Sequence, residues 1–281
     1  MKRSLGRSLL VHAALLAATL VTFYPILWVA GLSLTARSSL EPRLWPLPAA
    51  PSLQNFSDLL AARDGAGHLT FARQLGNSVI VSLLTAGIGL SLSTSAAYAL
   101  SRFRFRSRRA LLQTLLGTQM FPATLMSVPL YTILDRLHLL NTLSGLVLVY
   151  ATTAVPFSVW MLKGAFDALP REIEEAALLD GATPFQIYWR VLLPLVRPAL
   201  AVTFLFSFMA AWNEFILAAT FLDDPARFTL PVALARLVGE YHTDWGHFAA
   251  GALMVSMPVV GLFFVLQRQL VAGLTQGSVK G

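Results

Sequence analysis

Asp167 to Pro198 reads DALPREIEEAALLDGATPFQIYWRVLLPLVRP. It separates two apolar blocks and is too long and too patterned to be a simple connector. Pro170 is preorganised for a first helical turn, and Glu172, Glu174 and Glu175 follow where carboxylates favour the positive end of a helix dipole. Gly181 can take the left-handed conformation that closes such a helix. Thr183 then opens a second helix, with Pro184 at the first position and Gln186 three residues after the cap, the pattern of a capping box. The stretch therefore predicts helix, turn, helix. Ala176 and Ala177 leave a shallow surface near the turn, while Ile173, Phe185, Ile187 and Trp189 supply apolar bulk for docking. An amphipathic segment resting on lipid is the bland alternative. A DNA-reading unit is disfavoured, because an acidic first helix repels phosphate.

Around this stretch the chain has the composition of a membrane protein. Of its 281 residues 56% are hydrophobic and 12% charged, against roughly 25% charged in a soluble domain. The apolar residues fall in long blocks, and a block of about 20 residues is what a helix needs to cross a bilayer. Six such spans are predicted, at Leu9 to Leu34, Asn77 to Leu100, Ala110 to Leu134, Thr142 to Leu162, Ala199 to Phe221 and Phe248 to Gln267. The fold class is all-α and polytopic. Lys2, Arg3 and Arg7 precede the first block as in a signal peptide, but its apolar run is far longer than the roughly 7 to 15 residues of a cleaved leader. It is read as a retained span.

Six spans place both termini on one side. Fourteen of the 21 Lys and Arg residues then fall on that side, which the positive-inside rule makes cytoplasmic. Residues 1–8 form a cytoplasmic N-terminus, 9–267 the six-span domain with its cytoplasmic loop 167–198, and 268–281 a cytoplasmic tail. Topology thus accounts for the net charge of +7. The densest basic cluster, Arg102, Arg104, Arg106, Arg108 and Arg109 with Phe103 and Phe105 between them, lies in a short loop suited to anionic headgroups.

The spans are uneven. Pro25, Pro122, Pro129, Pro156 and Pro258 sit within them, where each removes a backbone hydrogen bond. The second carries Gly87, Gly89, Ser91, Ser93, Ser95, Ala96 and Ala97, small residues that let helices approach closely.

Chemistry of its own is hard to find in the chain. There is no cysteine, which excludes thiolate catalysis and cysteine metal sites. The dipeptide Gly-Lys is absent, so there is no Walker A loop of the usual form. Glu214, beside Asn213, is the only acidic residue well inside a predicted span. It can line a polar pathway or gate, or bond to a neighbouring helix as structural glue, and a lone acid gives little support for ion coupling. His242, Asp244 and His247 lack a third fixed ligand and are read as a solvated loop. His12 is read as packed within the first span.

One resemblance runs through these residues. Glu175-Ala176-Ala177, three residues, Gly181, nine residues, then Val191-Leu192-Leu193-Pro194 resembles the EAA loop of permease subunits in binding-protein-dependent ABC importers. Asn55-Phe56, Asn77-Ser78, Ala97 to Phe103, Met120-Phe121-Pro122, Pro129-Leu130-Tyr131 and Trp212 to Phe215 are similar to the carbohydrate-uptake branch. The tail from Gly273 to Gly281 resembles the MalG family of maltose and maltodextrin permeases. Ser107-Arg108-Arg109 departs from the proline- and glycine-containing turn common there.

The resemblance implies a type I importer bundle in the inner membrane, non-catalytic and with no cofactor of its own, since ATP is bound by a partner. Its ATPase-coupling loop would comprise Glu174, Glu175, Ala176, Ala177, Asp180, Gly181, Leu193 and Pro194. Gln276, Gly277, Ser278, Val279 and Lys280 would form a tail that touches the ATPase. Expected partners are a second, different, MalF-like permease, a homodimeric ATPase subunit, an extracytoplasmic sugar-binding protein and membrane lipids. The expected cargo is maltose or maltodextrin, with trehalose or another oligosaccharide as the alternative. An ion-coupled carrier, a passive channel or a membrane scaffold is the rival class, and the EAA-like loop argues against it.

Overall fold

The computed structural model describes residues 5–36, 45–239 and 243–277. They are helices, turns and two isolated bridges, Arg63 with Leu69 and Val238 with Thr243, and no strand occurs among them. The helices are α1 (Leu5–Ser33), α2 (Gln54–Ala61), α3 (Thr70–Arg102), α4 (Arg108–Thr118), α5 (Ala123–Arg136) and α6 (Leu143–Asp167). There follow α7 (Glu172–Leu179), α8 (Pro184–Leu195), α9 (Arg197–Trp212), α10 (Ile216–Phe221), α11 (Leu230–Ala235) and α12 (Trp245–Gly277). Among the described residues four helical stretches are long and apolar enough to cross a membrane: Ser8–Ser33, Thr70–Arg102, Leu143–Asp167 and Trp245–Gln269. α8 and α9 meet the same test as a pair, bent by 75° at Val196.

Two predicted spans are not continuous helices. Ala110 to Leu134 is divided into α4 and α5, with Pro122 at the N-cap of α5. Proline offers no N–H and drives the residue before it, Phe121, out of the helical region. Ala199 to Phe221 is divided into α9 and α10, because the carboxylate of Glu214 takes backbone donors that an unbroken helix would use itself. Pro25, Pro129, Pro156 and Pro258 do lie inside helices. Pro156 leaves the preceding turn of α6 short of a donor, and Gln119 Nε2 donates to the Thr153 carbonyl at 3.2 Å.

The chain divides into two units, Met1–Ala72 with Ala233–Met257, and Arg73–Val232 with Pro258–Gly281. In the first, Asn55 is buried and its Nδ2 donates to the carbonyls of Ser33 at 2.8 Å and Thr35 at 3.0 Å. It thereby satisfies acceptors that the end of α1 leaves open. Gly31 lies against the backbone of Pro46 and Gly246 against the Asn55 amide, so closely that a Cβ at Gly31 would fall 1.6 Å from the Pro46 oxygen. His247 bonds Asp244 at 2.5 Å through Nδ1 and faces Asp58 at 3.5 Å through Nε2. His12, expected to be packed, is exposed on α1 and bonds only the Ser8 carbonyl of its own turn. The apolar side chains beside it on α1 are exposed too, so among the described residues no packed surface covers this face of the helix.

In the second unit α6 is the central element and the most enclosed of the candidate spans. α3 meets it along Gly89, Ser93 and Ala97, all buried and at helical spacing. Gly89 faces Ala154, and Ser93 Oγ donates to the Val155 carbonyl at 3.2 Å. Small residues here permit the close approach that lets a hydroxyl reach a neighbouring helix backbone. Ser158 and Ser207 join α6 to α9 through a buried 3.1 Å hydrogen bond. At the start of α3, Asn77 Nδ2 donates to the carbonyls of Ala226 and Phe228, both at 3.0 Å, and Ser78 Oγ accepts from Leu230 N at 2.7 Å. These bonds fix the loop before α11.

Candidate docking site at the Arg102 end of α3

The residues that close α3 hold the helix-turn-helix in place. Ala97 is buried beside Leu162, Phe166, Ile187, Leu192 and Val196, which form one apolar cluster. The Tyr98 ring packs against Phe166 at 5.7 Å and Tyr188 at 5.0 Å. Ser101 Oγ donates to Asp167 Oδ1 at 2.6 Å, and Lys163 pairs with the other carboxylate oxygen. Arg102 Nη2 donates to the Leu169 carbonyl at 3.1 Å, while its Nε pairs with Glu174. Successive residues of α3 thus grip the end of α6, the turn after it and the first turn of α7.

The helix, turn, helix pattern is present. Glu172, Glu174 and Glu175 occupy the first turn of α7, whose N-cap is Arg171, so Pro170 falls just before the helix rather than in it. Asp180 is the C-cap, and Gly181 has φ of +82°. A side chain would meet no neighbour there, so the requirement for glycine is the backbone conformation alone. Thr183 Oγ1 accepts from Gln186 N and the Gln186 side chain accepts from Thr183 N, completing the capping box.

α8 does not continue as a plain α-helix. Ile187–Leu192 is wound with π pairing, in which the backbone bonds run between residues five apart and bring such residues nearer to one face than an α-helix does. Ile187 and Leu192 therefore both face the cluster under α3, and Ile187 is only 3% exposed. Ile187 was expected at the docking surface, and the structure places it in the core instead. The exposed large apolar residues of α7 and α8 are Leu178, Leu179, Phe185, Trp189 and Leu195, with Leu179 90% exposed and the Phe185 and Trp189 rings 6.0 Å apart. Leu178 and Leu179 carry no distinctive sequence signal, since leucine is common throughout the chain.

Among the residues expected to form a coupling loop, Glu175, Ala176, Asp180 and Gly181 are exposed, and Ala177, Leu193 and Pro194 are half-buried. Glu174 faces inward, held by Arg102. Arg102 accordingly leaves the exposed basic cluster in which the sequence had placed it, while Arg104, Arg106 and Arg109 are exposed and Arg108 half-buried. Of the tail, Gln276 and Gly277 form the last turn of α12, so the predicted tail begins as a continuation of that helix. Ser278, Val279 and Lys280 lie outside the described residues, as does His242.

Glu214 sits at the break between α9 and α10. Its Oε1 accepts from Leu217 N at 2.8 Å and its Oε2 from Ala218 N at 3.0 Å, and Oε2 also accepts from the Tyr150 hydroxyl of α6. The carboxylate thus caps α10 and ties it to α6. Asn213 is exposed and its Nδ2 bonds the Met209 carbonyl of its own helix at 2.9 Å. Nearby, a mainly apolar cavity of about 950 Å³ has walls from α3, α4, α5 and α6 and from Leu217 of α10. Glu214 supports that wall without lining the cavity.

Comparison with known proteins accords with this architecture. Residues 89–276 match the family model described as binding-protein-dependent transport system inner membrane component. The trehalose transport system permease protein SugB of Mycobacterium tuberculosis is 35% identical over 94% of this chain and 95% of its own length. The maltose/maltodextrin transport system permease protein MalG of Photorhabdus laumondii is 43% identical over 74% of this chain and 72% of its own. A crystal structure of a bacterial ABC transporter involved in the import of the acidic polysaccharide alginate contains a chain that superposes with a TM-score of 0.79 at 25% identity, covering 96% of this chain and 99% of that one. This chain belongs to the inner-membrane components of binding-protein-dependent transport systems.

Proposed function

We propose that the chain is one of two different permease subunits of an ATP-driven oligosaccharide importer, with maltose or maltodextrin as leading cargo and trehalose or another oligosaccharide as the alternative. It is a non-catalytic component, and ATP hydrolysis belongs to a partner ATPase. The observation that carries this reading is the two-sided construction of α7 and α8. One side is held to α3 through Tyr98 and Arg102 and to α6 through the cluster of Ile187 and Leu192 with Leu162 and Phe166, and the other presents Leu178, Leu179, Phe185 and Trp189. A scaffold or an ion-coupled carrier has no need of an exposed apolar face fastened so firmly to two membrane helices.

In this reading both termini and the loop 167–198 face the cytoplasm, and six crossings are completed by treating α4 with α5, and α9 with α10, as broken spans. An ATPase dimer docks against α7 and α8 around Glu175, Ala176, Ala177, Asp180, Gly181, Leu193 and Pro194. Closure on ATP displaces the pair of helices, and Arg102 with Glu174 passes the displacement into α3. Gln276 to Lys280 add a second contact with the ATPase. A MalF-like permease completes the pathway, to which the cavity beside Leu217 contributes, and an extracytoplasmic sugar-binding protein delivers cargo. Glu214 with Asn213 keeps the fifth span broken at the pathway. Its carboxylate is already engaged by three donors, which favours a structural role over ion coupling.

The test is uptake of labelled maltodextrin and trehalose into vesicles holding this chain with its permease, ATPase and binding-protein partners. Uptake should require ATP and every partner. Uptake that persists without the ATPase subunit would overturn the proposal.

A further inference from the structure

The geometry points to a binding site for the headgroup of an anionic glycerophospholipid, in the groove between the α3–α4 turn and the start of α7. The groove has a volume of about 660 Å³. Arg104 and Arg108 stand on one side of it, and Arg171 and Glu172 on the other. Arg102 and Asp167 also reach it, but Arg102 is taken up by Glu174 and Asp167 by Lys163 and Ser101. Arg104 and Arg171 hold no ion pair among the described residues, and Arg108 acts on Asp167 only beyond ion-pair distance. Three guanidinium groups thus share the groove with two carboxylates, Asp167, already held by Lys163 and Ser101, and Glu172, which sits in the first turn of α7 where the helix dipole favours it. A phosphodiester between them would accept hydrogen bonds from planar, multidentate donors.

The surroundings select a lipid over a soluble phosphate. Phe103 and Phe105 are exposed next to the arginines, and aromatic residues beside basic ones are the side chains that settle at headgroup depth. Leu111, one turn after Arg108 on α4, is also exposed, so an acyl chain leaving the groove can lie against it. A free phosphate would use neither feature. Because Leu169 to Glu172 form one wall, a bound headgroup would bridge the α3–α4 turn and the start of α7. The inference rests on the membrane reading of the chain and is independent of its cargo.

The test is native mass spectrometry of the full chain titrated with phosphatidylglycerol and with phosphatidylcholine, in the absence of ATPase. Phosphatidylglycerol should bind more tightly, and Arg104→Gln/Arg108→Gln should weaken it about thirtyfold, the equivalent of about 1 kcal/mol for each arginine removed. Arg171→Gln should weaken it about fivefold, the equivalent of the same increment. Arg106→Gln/Arg109→Gln, altering the same loop outside the groove, should keep most of the preference. Equal losses in the two double variants would overturn the site in favour of diffuse surface charge. Displacement of the lipid by inorganic phosphate at physiological concentration would overturn the assignment to a headgroup. Since no transport is measured, failure here leaves the importer reading intact, and failure of ATP-driven uptake leaves lipid binding intact.

Discussion

Arg102, the last residue of α3, pairs through Nε with the carboxylate of Glu174 in the first turn of α7, and only 8% and 16% of the two side chains are exposed. Little solvent reaches the pair, so removing one partner leaves the other charge in a poorly hydrated place. Arg102→Ala should destabilise the chain by about 3 kcal/mol, read as a lower unfolding midpoint in detergent. Arg102→Met/Glu174→Met, which removes both charges and keeps volume, should recover most of that loss. A double variant as unstable as the two single losses combined would show that the residues do not act as a pair.

Gly181 tests the turn rather than the contact. Its φ of +82° meets open space, so only backbone strain opposes a side chain. Gly181→Asn should retain transport, because asparagine enters the left-handed region at low cost. Gly181→Val and Gly181→Pro should abolish ATP-dependent uptake while the protein still reaches the membrane. Normal uptake with either of the last two would remove the turn from the coupling path.

The residues that were readable in the sequence are those whose determinants lie within a few positions. The apolar blocks mark α1, α3, α6 and α12, and Thr183-Pro184 with Gln186 marks the start of α8. Arg102 reads as the first member of a basic run because Arg104, Arg106, Arg108 and Arg109 follow it, while Glu174, which decides its role, arrives only through the fold. The break at Glu214 was invisible for a similar reason: a glutamate in an apolar run gives no sign that its oxygens will cap a new helix. Ile187 reads as docking bulk only because it is apolar and lies between Phe185 and Trp189; the π winding of Ile187–Leu192, which turns it inward, has no local signature.

Glu214 and Tyr150 separate a structural acid from a transported proton or ion. Tyr150→Phe removes one donor to the carboxylate and should cost about 1 to 2 kcal/mol, measured by thermal unfolding in detergent. Glu214→Gln keeps an acceptor and should retain measurable uptake, whereas Glu214→Ala strips both caps from α10 and should lose it. If Glu214 instead carried a coupling proton, Glu214→Gln would be as inactive as Glu214→Ala and uptake would depend on the ion gradient.

The exposed face of α7 and α8 gives the most direct check on the proposed partner. Leu179 is 90% exposed and so contributes little to the stability of the isolated chain, but an ATPase docked there would remove it from water. Burial of a leucine side chain is worth about 2 kcal/mol, which corresponds to roughly thirtyfold in affinity. Leu179→Ser should therefore weaken assembly with the ATPase by about that factor while leaving the unfolding midpoint of the isolated permease unchanged. Phe185→Ser should do the same, since its ring is also largely exposed. Ile187→Ser should behave in the opposite way, because that side chain is packed under α3: it should lower the unfolding midpoint before any effect on assembly is seen. Binding measured by surface plasmon resonance on the purified permease pair, with unfolding followed in parallel, separates the two behaviours. Unchanged ATPase binding in both Leu179→Ser and Phe185→Ser would place the docking face elsewhere on the chain.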